Sequence, residues 1–181
     1  GGTTGLPKAV PHTHAALLWQ AEATLRNFPA PFSRELPHAG TVCFTPYFHV
    51  MGFVANTVFN LVTGCRAALL ASHDAKLSPA LMLAAIRALK PSCVNTVPWV
   101  VEGLCAMMAE GQGQASAAIG ALSALHLITY GGAALAPHCP PLLKRHGVTV
   151  ACTYGQAELA GPVMFGQPGG DANALRPLDG V

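Results

Sequence analysis

Charge is scarce in this sequence. Only 10% of its 181 residues are Asp, Glu, Lys or Arg, against about 25% in an ordinary globular domain. Basic runs are absent and the formal net charge is +2, which leaves no electrostatic footprint for nucleic-acid binding. No stretch reaches the roughly 18 apolar residues of a membrane span. The best one, 50–62, is short and interrupted by Asn56, Thr57 and Asn60. The six cysteines, at 43, 65, 93, 105, 139 and 152, form no CxxC pair. Most sit in apolar runs and read as reduced, buried thiols of a cytoplasmic protein rather than as a disulfide framework. His12 and His14 have no thiolate or carboxylate at ligand spacing, so no metal is expected there. An initiator Met is also lacking. The chain opens on Gly1-Gly2-Thr3-Thr4-Gly5 and stops at Leu178-Asp179-Gly180-Val181 without a capping element. Residues 1–181 are therefore expected to be one partial domain, truncated at both ends, with any targeting segment out of view.

What is present is apolar. At 51% hydrophobic residues, the chain has ample surface to bury against the entropy of ordering. Its small solvated share predicts that further protein covers part of it. Thr13 is a candidate cap for a helix through Leu25 that ends before Pro29. Thr41–Thr45 reads as a buried strand, 46–49 as a turn, and Gly52–Val62 as a helix stopped by Gly64. Arg66–Ala71 is a second strand, and Ser78-Pro79 opens the next helix. Ser92–Val97, Leu125–Tyr130 and Val148–Cys152 are further strands, with helices at Trp99–Glu110 and Pro137–His146. Gly111–Ser123, small and polar, is expected to be a surface loop with a marginal helical turn. Strand and helix alternate about five times, which predicts an α/β fold with a mostly parallel sheet flanked by helices. In such sheets ligands sit at the C-terminal strand ends, here 45–49, 130–134 and 154–158.

Chemistry-bearing residues fall at those ends. Gly1-Gly2-Thr3-Thr4-Gly5-Leu6-Pro7-Lys8 combines glycines that let amides approach a polyphosphate, two hydroxyls and an ammonium. It is not a Walker loop, because Pro7 precedes Lys8 and Ala9 follows it. Residue chemistry alone leaves alternatives open. Glu158 is equally a first-turn carboxylate on a helix dipole, Tyr154 a core aromatic with a satisfied hydroxyl, and His49 a hydrogen-bonded half-buried histidine. Trp99 is as much a packing residue as a pocket wall.

The loop resembles the phosphate loop of the adenylate-forming (AMP-binding) superfamily of acyl-CoA synthetases, luciferases and peptide-synthetase adenylation domains. Three further stretches match that family in order and spacing. Pro46-Tyr47-Phe48-His49-Val50-Met51-Gly52-Phe53 resembles its acyl-pocket turn, Tyr130-Gly131-Gly132-Ala133 its adenine-contacting turn, and Tyr154-Gly155-Gln156-Ala157-Glu158 its Tyr-Gly-x-Thr-Glu signature. Pro11-His12-Thr13-His14, Asn95-Thr96-Val97-Pro98-Trp99 with Glu102, and Pro168-Gly169-Gly170-Asp171 with Leu175-Arg176-Pro177 are similar to a subgroup in which a carrier domain follows.

The resemblance implies part of the large N-terminal domain of an enzyme that converts a carboxylic acid and ATP to an acyl-adenylate and pyrophosphate. The acyl group then passes to a thiol, of CoA or of a carrier phosphopantetheine. Thr3, Thr4, Gly5 and Lys8 would hold the β- and γ-phosphates. Glu158 would hold Mg²⁺ and act with His49 at the reacting centre. Tyr154 would face the adenine, and Gly131, Gly132 and Ala133 would pass beneath it. Gly155, Gln156 and Ala157 complete the nucleotide contacts, while Phe48, His49 and Trp99 would line the acyl pocket. The implied partners are a small carboxylic acid and a possible carrier domain. Ala157 departs from the pattern, since a threonine whose hydroxyl reaches the α-phosphate usually stands there. Gln156 or a water is the available substitute, and a non-catalytic binding or scaffold module is the alternative. The family's ribose-binding aspartate and catalytic lid lysine would lie beyond Val181, so the chain by itself is expected not to turn over. The scarcity of acidic residues in 50–60 and around Trp99, with Glu102 one helical turn on, favours a fatty, aromatic or otherwise unaminated acid.

Overall fold

The computed structural model describes residues 8–28, 40–68, 77–109, 112–171 and 173–178. Thr13 takes the Ala16 amide on its hydroxyl at 3.1 Å and starts helix α1 (His14–Asn27), satisfying one donor that a helix start leaves over. Strand β1 (Gly40–Cys43) follows. Helix α2 runs from Val50–Phe53 through a π-turn at Val54–Val58 into Phe59–Thr63. It stops at Gly64, where φ is 71°, a left-handed cap that a glycine adopts without a Cβ clash. After β2 (Arg66–Ala68), Ser78 caps α3 (Pro79–Leu89) through the Leu81 amide at 3.1 Å. Then come β3 (Cys93–Thr96), α4 (Pro98–Ala109), α5 (Gln112–Ser123), β4 (Leu127–Gly131) and α6 (Cys139–Arg145). Strand β5 (Val150–Gln156) ends in a 3₁₀ turn, Ala157–Leu159, before β6 (Gly161–Gly166) and β7 (Leu175–Pro177).

The strands make one sheet in the order β2-β1-β3-β4-β5-β6-β7. The first five positions run parallel, β6 pairs antiparallel with β5, and β7 pairs antiparallel with β6. This is the α/β sheet flanked by helices that the alternating pattern predicts. Along each central strand the side chains alternate between two cores. Val94, Ile128, Tyr130 and Cys152 pack with Met82, Leu104, Leu122 and Leu143 from α3 to α6. Cys93, Leu127 and Ala151 face the other way, toward Ala21 of α1 and Phe59 of α2.

Two features differ from the sequence reading. Residues 112–123 form a helix of 12 residues instead of a loop. Its glycines weaken local propensity, yet Ala118 and Leu122, one turn apart, are both fully buried against the α3–α4 layer. Tertiary burial, not propensity, makes this helix. Strands β6 and β7 were not expected either, because their runs are short and carry Gly161, Pro162 and Gly166. Strand β6 is ordered by pairing with β5, which itself extends to Gln156, and β7 by pairing with β6.

Candidate active site

The C-terminal ends of the parallel strands open into a cavity of about 440 Å³ between the sheet and helices α1 and α2, a size ordinary for a small-molecule site. Its mouth gathers Phe48 and His49 from the turn entering α2, Gly132 from the turn after β4, and Gly155, Gln156 and Ala157 from the end of β5. Phe48 is 94% exposed at this edge. His49 Nδ1 accepts the Met51 amide at 3.1 Å as the cap of α2. A neutral ring held that way carries its proton on Nε2, which leaves a donor for a ligand.

Backbone shape, more than side chains, makes the mouth. Gly132 has φ 96°, and a Cβ built on it would meet no heavy atom within 4 Å, so the turn presents bare backbone to open space. At Gly155 a Cβ would stand 2.1 Å from the Gly161 carbonyl oxygen. The pairing of β5 with β6 shifts register between Tyr154 and Gly155, a bulge of the kind that re-aims side chains beside sites. Tyr154 is half-exposed there.

The turn after β4 is held from behind. Glu102 Oε1 on α4 accepts the Ala136 amide at 3.0 Å. Asn173 Oδ1 accepts both the Tyr130 hydroxyl and the Leu135 amide at 3.0 Å, and its Nδ2 donates to the Leu135 carbonyl at 3.3 Å. Tyr130 is fully buried, and burial pushes its phenol pKa up. On the far side, Gln20 Nε2 of α1 donates to the Pro162 carbonyl of β6, fixing the helix that roofs the cavity.

Of the residues expected at a site, the structure thus brings Phe48, His49, Gly132, Gly155, Gln156 and Ala157 around one cavity. Gly131 is buried at the end of β4 and Ala133 is exposed one residue past Gly132. Glu158 is exposed in the 3₁₀ turn directly after Ala157, and Lys8 is exposed ahead of α1. Trp99, half-exposed, is outside the cavity lining, on the helix that covers the opposite face of the sheet. Thr3, Thr4 and Gly5 lie outside the described residues.

A model of the family described as AMP-binding enzyme matches residues 1–179 of the chain. The chain belongs to the AMP-binding enzyme family. No curated protein is a significant sequence match to it. Its fold is similar to that of an anthranilate CoA ligase solved with anthranoyl-AMP, with TM-score 0.77, 20% identity, and coverage of 99% of this chain and 33% of that one. An O-succinylbenzoate CoA synthetase from Bacillus subtilis in complex with AMP gives TM-score 0.75 and 18% identity over 98% of this chain and 42% of that one. A benzoate CoA ligase from Burkholderia xenovorans LB400 gives 0.74 and 20% over 96% and 33%. The chain therefore spans 33–42% of the length of these structures.

The donor set suits magnesium and a nucleotide. Glu158 has an exposed carboxylate with no hydrogen-bond or ion-pair partner among the described residues, and a hard oxygen of that kind is what Mg²⁺ takes. The open backbone at Gly132 and the half-exposed ring of Tyr154 suit a flat base. Sequence reasoning missed the cavity floor, where Cys43, Asn95, Thr129 and Thr153 line the sheet. The available signal was polar residues inside strands otherwise read as wholly buried. All six cysteines are buried thiols, and burial raises the pKa of each. Among the described residues no helix is long and apolar enough to cross a membrane.

Proposed function

We propose that this chain is the acid-activating core of a ligase that joins a carboxylic acid to AMP and then passes the acyl group to a thiol, of CoA or of a carrier arm. One observation carries the reading: the mouth residues at His49, Gly132 and 155–157, far apart in sequence, meet at a single cavity. Bound Mg²⁺ would supply charge neutralisation on the triphosphate, with Glu158 as its protein ligand. The chain's own residues do the positioning. His49 Nε2–H and the Gln156 amide orient the attacking carboxylate at the mouth. The bare backbone of 131–133 lets the nucleotide lie close, against the Tyr154 ring. Thr3, Thr4, Gly5 and Lys8 hold the distal phosphates, where an ammonium and hydroxyls offset charge on the leaving pyrophosphate. Such a step is accelerated by orientation and fixed charge rather than by covalent participation.

The chain spans 33–42% of the length of the structures it resembles, and the turnover proposed is that of the whole protein. Six buried cysteine thiols support a reducing, cytoplasmic setting. The test is carboxylate-dependent exchange of labelled pyrophosphate into ATP by the full-length protein, with Glu158→Ala and Lys8→Ala losing at least tenfold. Ala157 at the cavity edge favours a second reading, a non-catalytic binding module. A folded protein that binds nucleotide yet exchanges with no acid would establish that reading instead.

A further inference from the structure

The cavity floor is polar where a helix-covered parallel sheet is ordinarily apolar. Cys43, Asn95 and Thr129 stand in one register row across β1, β3 and β4. Cys43 Sγ donates to Asn95 Oδ1 at 3.5 Å, Asn95 Nδ2 donates to Thr129 Oγ1 at 2.8 Å, and Thr129 Oγ1 donates to the Val94 carbonyl at 3.4 Å. This chain fixes which way the amide faces. One Nδ2 hydrogen is engaged and the other is not, while Asn95 Oδ1 and Thr129 Oγ1 each keep a lone pair. Thr153 gives its proton to the Tyr130 carbonyl at 3.2 Å and retains only acceptor capacity.

Charge is missing from this lining. No Asp, Glu, Lys or Arg borders the cavity among the described residues. Glu102 lies on the helix that covers the opposite face of the sheet, outside the lining, and is engaged with Ala136. Past the polar row the end is closed by aromatic rings, Phe28 lying 5.4 Å from Phe59 and 5.6 Å from Phe165 between centroids. A charged group in that space would lose water and gain no counter-ion. A neutral donor–acceptor group would find both a hydrogen and lone pairs.

Resting on the acid-activation reading of this same cavity, we propose that its substrate is a carboxylic acid with an apolar, aryl-sized body and one neutral hydrogen-bonding group. That group, a hydroxyl or carboxamide, meets Asn95 and Thr129. Thr129 lies two strand residues below the Gly131 end of β4, about 7 Å at a rise of roughly 3.3 Å per residue, so with the substrate carboxyl at that end the neutral group stands the same distance from it. Amino acids, with a charged ammonium, and dicarboxylates are excluded.

The test uses the full-length protein and three acids of one shape: phenylacetate, 4-hydroxyphenylacetate and 4-carboxyphenylacetate. Their dissociation constants are measured by calorimetry, and pyrophosphate exchange is measured separately. The hydroxyl acid is expected to bind about tenfold more tightly than phenylacetate, and the dicarboxylate at least tenfold more weakly. In Asn95→Leu the ratio between the first two acids collapses to about one. Thr129→Val, nearly isosteric, repeats the test should the first variant not fold. Equal binding of the hydroxyl acid and phenylacetate, no binding by any of the three, or a preference that survives in the folded variants overturns the proposal. Exchange with phenylacetate but no hydroxyl preference overturns the proposal and leaves acid activation standing. A hydroxyl preference in binding with no exchange for any acid does the reverse.

Discussion

The carboxylate of Glu102 on α4 and the amide of Ala136 are joined at 3.0 Å, so a helix on one face of the sheet holds the loop that delivers Gly132 to the other. With Asn173 engaging the Tyr130 hydroxyl and the Leu135 amide, that loop is fixed at three points. Its open backbone is thus a held shape.

Removing the carboxylate should loosen it. Glu102→Ala is expected to lower unfolding free energy by about 1–2 kcal/mol, the usual cost of a lost hydrogen bond to a charged group with some solvent access. Glu102→Gln keeps an acceptor and recovers more than half. Urea denaturation of both variants checks this, and an alanine variant as stable as the parent would show that the loop holds itself.

Ala157 opens the 3₁₀ turn at the cavity edge. Ala157→Thr is expected to raise pyrophosphate exchange of the full-length protein about tenfold. A hydrogen bond to a charged phosphate oxygen is worth roughly 1.5–3 kcal/mol, and about 1.4 kcal/mol is a factor of ten in rate. An unchanged or lower rate would mean that the hydroxyl is not the missing element.

Lys90 ends α3 in a left-handed conformation, φ 46°, with its amide on the Ile86 carbonyl. A side chain there costs about 1 kcal/mol or slightly more, and the residue is exposed. Lys90→Gly should therefore raise stability by about 1 kcal/mol, read as a higher denaturation midpoint at unchanged slope. A lower midpoint refutes it.

The buried thiols set an alkaline limit. Burial raises the pKa of all six, Cys93 and Cys105 furthest. Above about pH 8.5 the unfolded chain loses thiol protons that the folded chain keeps, so the unfolded state binds fewer protons and stability falls as pH rises. Stability should be level in this respect below pH 8 and decline from there to pH 10. Replacing Cys93 with Ala should flatten the decline, and an unaltered slope would assign it to other groups.

How much of this was legible in the sequence depends on the range of the interaction. The caps at Thr13, Ser78 and Gly64 are local chemistry and could be read directly. Helix α5 could not, because it exists through Ala118 and Leu122 meeting a distant layer. Strand β6 depends on pairing with β5 and β7 on pairing with β6, and no local pattern announces them. The mouth of the cavity was legible through motifs at strand ends, where topology puts ligands. Its floor was not. Asn95 and Thr129 look like tolerated polar residues until the register sets them side by side. Glu102 was read as a neighbour of the pocket, and only its contact with Ala136 reveals it as a brace.

The π-turn at Val54–Val58 stands opposite that floor and interrupts the helix that carries Met51 and Val54 along the cavity. Such a turn accommodates one residue more than regular pitch allows. Deleting a single residue there would restore even winding with the flanking turns close to their present phase, and would remove the bulge that faces the cavity. Loss of one codon there would then reshape one wall of the chamber without turning the rest of the helix, which makes length variation at this point a short evolutionary route to a different substrate.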